Sequence, residues 1–140
     1  DSLHLDIAPK GTKKPSEQIN IAFSAYEHPI SNTNPVSTSL IPMRESIETI
    51  IAELLCRRPK QEKSGNDYQK IVSIGMQLCK NEVEEHLIHT WAFHFVTITK
   101  ELSGAKQKDL SREEWTHILL RAISFLEGFL NGLDPSKFKK

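Results

Sequence analysis

Arg112 and His117 bracket the stretch Arg112-Glu113-Glu114-Trp115-Thr116-His117. A guanidinium offers a planar, two-pronged donor that matches a phosphate. An imidazole can carry a proton near neutral pH. Five residues along a helix is a turn of roughly 140° around its axis. The two side chains therefore share a face only if the helix start is distorted or a second subunit completes the site. Ser111-Arg112-Glu113-Glu114 is equally an ordinary helix-start sequence. His86 and His89, beside Glu82 and Glu85, have a spacing that can share a metal. A carboxylate-bridged di-metal bundle needs Glu-x-x-His. Here each glutamate precedes its histidine by four residues, so no metal or other cofactor is expected.

Arg57, Arg58, Lys60 and Lys63 form a basic cluster around Pro59. With Lys106, Lys108, Lys137, Lys139 and Lys140 it is the candidate nucleic-acid-binding surface. Glu62 and Asp109 interrupt it, and no aromatic stripe accompanies it for base stacking. Cys56 and Cys79 sit at predicted helix C-termini, where a thiol is not activated, and are read as packed and inert. The sequence has neither a glycine-rich phosphate loop nor a recognisable Ser-His-Asp spacing.

The element that must position Arg112 and His117 is the segment from Ser111 to Leu133. Its apolar residues, from Trp115 through Ile118, Leu119, Ala122, Phe125 and Leu126 to Leu130, repeat at three-then-four spacing. Ser111 and Glu114 form a capping box, and Asn131-Gly132 with Pro135 stops the helix. A first helix is predicted from near Ser39 to Arg58, with Met43, Ile47, Ile50, Ile51, Leu54 and Leu55 inward. A second runs from about Asp67 to Lys80, where Gly75 marks a close crossing and Met76 shares the apolar face. A third, about 82–102, opens on an Asn81–Glu84 capping box and carries Leu87, Trp91, Phe95, Ile98 and Leu102. Its centre, WAFHFVTIT, also has strand character; length and the stop at Ser103-Gly104 favour the helix. Short linkers make successive helices antiparallel neighbours. The expected fold is all-α, an up-down four-helix bundle over 39–140.

Residues 1–38 read as an extended arm or linker. Within it, 19–26 alternates apolar and polar residues, with Ile19, Ile21 and Phe23 on one side, which predicts one strand. The start at Asp1 fits either a fragment of a longer chain or a trimmed N-terminus.

Lys plus Arg and Asp plus Glu are both 18, a balance that argues against non-specific coating of nucleic acid. The 140 residues suit one core plus an arm. Two cysteines without CxxC spacing argue for a reducing cytoplasm, and no apolar run is long enough to span a membrane.

The Arg112-to-His117 stretch, at a helix start in a helical bundle, resembles the catalytic motif of the HEPN family. Those are small helical bundles, many of them metal-independent ribonucleases of prokaryotic toxin and antiviral systems. The resemblance rests on six residues and on helix order over roughly 39–133, and Glu113 stands where Asn or Asp is commoner. It implies that Arg112 binds and polarises the scissile phosphate and that His117 transfers a proton, within a dimer. Against it stands the function we expect from the absence of other chemistry: a non-catalytic helical module that docks a protein partner, or the remainder of a longer chain, in a multi-component, defence-related system. The alternative is a HEPN-like ribonuclease or RNA-binding homodimer.

Overall fold

The computed structural model describes residues 7–29, 34, 36–63, 65–104 and 110–139. Five α-helices follow in order: α1 (Pro15–Glu27), α2 (Ile41–Cys56), α3 (Asp67–Leu78), α4 (Glu85–Gly104) and α5 (Arg112–Asn131). A π-helical turn, Val36–Leu40, leads into α2, and a 3₁₀ turn, Pro135–Lys137, follows α5. The chain is all-α, with no strand among the described residues.

Local chemistry accounts for several boundaries. The Asn66 side chain accepts from the Gln69 amide and starts α3. The Ser111–Glu114 capping box forms in both directions at the start of α5. Pro42 stands in the first turn of α2, where its missing N–H costs nothing. The Asn81–Glu84 box does not form. Asn81 Oδ1 instead accepts from Lys137 Nζ at 2.8 Å, Asn81 and Glu82 lie in a turn, and α4 begins at Glu85. At its other end α4 runs to Gly104, within two residues of the expected end near 102. The WAFHFVTIT stretch is helical, with Trp91, Phe95 and Ile98 buried.

The largest correction concerns 19–26, which belongs to α1 and not to a strand or an extended arm. Ile19, Ala22, Phe23 and Tyr26 fit three-then-four spacing as well as Ile19, Ile21 and Phe23 fit alternation. Tertiary contacts decide between the two. Ile19 and Ala22 are buried while Ile21 is 44% exposed, so the helical face is the one used. Ser39 Oγ donates to the Ala22 carbonyl at 2.8 Å, and the Tyr26 ring stands edge-on to Trp115 at 5.1 Å. Trp115 Nε1 in turn donates to Ser39 Oγ at 2.8 Å. One buried hydroxyl therefore links α1, the turn before α2, and α5. Ile19 and Ala22 join the same core as the helices that follow.

That core is continuous across all five helices. α1 packs chiefly on α2, α3 on α4, and α4 on α5. Gly75 is the close crossing its position suggested: a Cβ there would lie 2.5 Å from Ile88 Cγ2 on α4. Met76, placed inward from the sequence, is half exposed. Past α5 the backbone pairs with the end of α3, Lys80 N donating to Gly132 O and Asp134 N to Leu78 O, both at 2.8 Å. Ser136 donates to the Asp134 carboxylate through its hydroxyl and its amide, which holds that carboxyl below its ordinary value. Cys79 is half buried; Cys56, read as packed, is exposed, and both are free thiols.

Candidate functional site

Arg112 and His117 do not converge. Arg112 reaches from the first turn of α5 onto the C-terminus of α1 and donates to the Tyr26 carbonyl. That carbonyl is among the last of α1, which lack intrahelical donors and sit at the negative end of the helix. The guanidinium carbon also lies 3.7 Å above the centre of the Tyr26 ring and 5.5 Å from that of Trp115. The Tyr26 hydroxyl meets Thr116 Oγ1. His117 is exposed on the α4 side of α5 and lines a separate recess with Lys100, Glu101, Gly104, Glu114 and Arg121. The helical rotation between the two positions is not relieved by any distortion, because the helix starts regularly at its cap. Arg112 thus acts as a clamp between helices. Arg112→Ala should lower the unfolding free energy by about 1 kcal/mol, because both the hydrogen bond and the cation–π contact are solvent-exposed. Urea denaturation checks this, and an unchanged midpoint would count against the clamp.

The two arginines of the basic cluster are engaged within the fold. Arg58 is 5% exposed; it donates to the Leu55 carbonyl at 2.9 Å and to Ser73 Oγ at 2.7 Å. Ser73 Oγ donates onward to Glu62 at 2.9 Å, and Gln77 exchanges hydrogen bonds with the backbone of Lys60. This network folds the 59–63 loop back onto α3. Arg57 pairs with Glu53 one turn earlier, at 2.7 Å. Of the proposed nucleic-acid contacts, Arg58 is withdrawn from the surface; Lys60 and Lys63 remain exposed. Lys137 Nζ is held by the Cys79 carbonyl and Asn81. Lys106, Lys108, Asp109 and Lys140 lie outside the described residues.

The histidines of α4 go separate ways. His86 pairs with Glu84, whereas His89 Nδ1 shares a hydrogen bond with the Tyr68 hydroxyl at 2.7 Å. Among the described residues no three His, Cys, Asp or Glu side chains are grouped to hold a metal.

A different surface was not singled out from the sequence. α4 and α5 leave a groove of about 330 Å³ between them, floored by the buried Trp91, Ile98 and Phe125. Along its α4 wall Thr90 and Thr97 donate their hydroxyls to the carbonyls four residues back, each at 3.0 Å. Small residues on α5, Ser124 and Gly128, keep the opposite wall low. Arg121 and Glu101 tie the two helices together at one end, and the hydrogen bonds to Glu101 hold the Arg121 pKa above its ordinary value. Leu87, 38% exposed, lines the groove, and outside its lining α4 exposes Phe93 at 67% and α5 exposes Leu120 at 53%.

The charges beside Phe93 and Leu120 differ in sign. At seven-residue spacing a helix returns to within about 20° of the same direction. On α4 this places His86 and Lys100 on the stripe of Phe93; on α5 it places Glu113 and Glu127 on the stripe of Leu120. All six are exposed. The two heptad repeats were the sequence signal for this face. No helix among the described residues is long and apolar enough to cross a membrane, so the exposed apolar groups do not belong to a membrane span. Comparison with known family models, with curated proteins and with solved structures finds no match to this chain.

Proposed function

We propose that the chain is a helical docking module, without catalysis of its own, whose α4–α5 face receives an amphipathic helix from a protein partner. In this reading α2 to α5 form an up-down four-helix bundle braced by α1. The module works within a larger protein or multi-component system. The observation that carries the proposal is the apolar-floored groove itself, lined by the exposed Leu87, on two helices that also expose Phe93 and Leu120. Large apolar side chains that expose half or more of their area at such a place mark an interaction surface.

The flanking charges describe the occupant. A bound helix lays its apolar stripe, at i, i+3, i+4 and i+7 spacing, along Trp91, Ile98 and Phe125. Its acidic edge runs beside Lys100, and its basic edge beside Glu113 and Glu127. The ribonuclease alternative has less to support it. Arg112 is engaged with Tyr26, and a phosphate would have to displace that contact while His117 points into another recess.

A synthetic leucine-striped helix with glutamates along one edge and lysines along the other tests this by fluorescence anisotropy. It should bind more tightly than the same helix with lysines on both edges or glutamates on both edges. Phe93→Asp with Leu120→Asp should weaken binding about tenfold or more while the far-ultraviolet circular dichroism stays unchanged. Equal binding by that folded double variant would overturn the reading. A dimer of the native chain that Phe93→Asp dissolves would reassign the face to a second copy.

A further inference from the structure

On the other side of α4, where α2 and the start of α3 meet it, lies a more enclosed recess of about 190 Å³. Ile47, Ile51, Phe95 and Leu102, all buried, make its apolar lining, and Arg44, Glu48, Asp67 and Lys70 stand around it. Arg44 differs from the other four arginines of the sequence. Arg57, Arg58, Arg112 and Arg121 each donate to an acceptor in the protein. Arg44 Nε is buried and meets no hydrogen-bond acceptor among the described residues.

The nearest carboxylate, Glu48, is 3.8 Å from that nitrogen, an ionic contact beyond hydrogen-bond reach, and its side chain is 63% exposed. Lys70 and Asp67 are similarly loose, at 3.7 Å. A buried N–H without an acceptor is costly, and the Arg44 side chain that carries it lines a largely hydrocarbon recess. Filling the recess with hydrocarbon alone would leave that donor unmet. A carboxylate on an apolar body supplies both requirements, one oxygen accepting from Arg44 Nε and the chain lying on Ile47, Ile51 and Phe95. Glu48 can swing into water as the ligand enters, and Lys70 adds a second cation at the mouth.

We infer that this recess binds a small aliphatic carboxylate, with Arg44 as the residue that reads its charge. The site is independent of the α4–α5 face and stands or falls separately.

Hexanoate and the uncharged hexanamide, titrated into the isotopically labelled chain and followed by NMR, provide the test. Hexanoate should shift the Arg44 Nε–H signal and the methyl signals of Ile47 and Ile51 saturably, in the micromolar to millimolar range. Hexanamide should bind at least about tenfold more weakly, since it cannot form the charge-assisted bond. Arg44→Met should remove the preference for the acid while leaving the other methyl signals in place. Glu48→Gln should tighten binding by removing the competing carboxylate. Equal affinity for acid and amide, an unchanged preference in Arg44→Met, or the absence of any saturable shift would each overturn the inference.

Discussion

Phe129→Ala should lower the unfolding free energy by about 3–5 kcal/mol, the usual cost of emptying an aromatic site in a packed core. Phe129 is fully buried on α5. Its ring lies parallel to Phe125 at 5.3 Å and edge-on to Trp91 of α4 at 5.5 Å. Trp91 lies against Gly132, where an added Cβ would overlap its ring. Phe129→Leu keeps most of the volume and should cost markedly less, about 1–2 kcal/mol. Chemical denaturation of the two variants checks both figures. A Phe129→Ala loss below about 1 kcal/mol would mean that the α4–α5 seam is not packed as described.

Gly75→Ala should destabilise by about 1–3 kcal/mol, although alanine is the better helix former by about 1 kcal/mol. The sign is set by Ile88. Its Cγ2, Cγ1 and Cβ would lie 2.5, 3.1 and 3.4 Å from the added methyl group. Ile88 is β-branched and nearly fully buried, so its side chain has no free rotamer to retreat into. Ile88→Ala alone opens a cavity at a cost of about 2–5 kcal/mol. In the double variant the methyl of position 75 occupies part of that cavity. The two losses should then sum to more than the double variant shows, by about 1 kcal/mol or more. Strict additivity would place Gly75 and Ile88 out of contact.

What the sequence allowed one to read was mostly local. The Ser111–Glu114 box and the Trp115-to-Leu130 stripe are fixed by neighbours within one turn, and α5 forms as expected. Gly75 was legible as a crossing because a glycine in an otherwise apolar helix needs a reason. The misreadings occurred where distant parts of the chain decide. Residues 19–26 satisfied two periodicities at once, and the choice was made by Trp115 and Ser39, far along the chain. Asn81 had a capping partner in sequence but gave its oxygen to Lys137. Arg58 looked like one of four surface cations, yet the following loop brings Glu62 to Ser73 and buries the guanidinium beside them.

The candidate site was hidden for a related reason. In WAFHFVTIT the aromatic and aliphatic residues stand so close together that Phe93 reads as one more core residue. Only its seven-residue companions, His86 and Lys100, separate it from the buried face of Trp91, Phe95 and Ile98. Arg112 and His117 attracted attention as residue types, but the geometry of α5 divides their tasks: Arg112 holds α1 in place, and His117 faces the α4 side.

The docking claim meets its most direct test in the NMR amide spectrum of the labelled chain as the leucine-striped helix with one acidic and one basic edge is added. We expect the perturbed amides to fall within 86–100 on α4 and 113–127 on α5, with the Phe93 and Leu120 side-chain signals moving most. Shifts centred on the Arg57–Lys63 loop or on α1, or a spectrum that does not change, would contradict it.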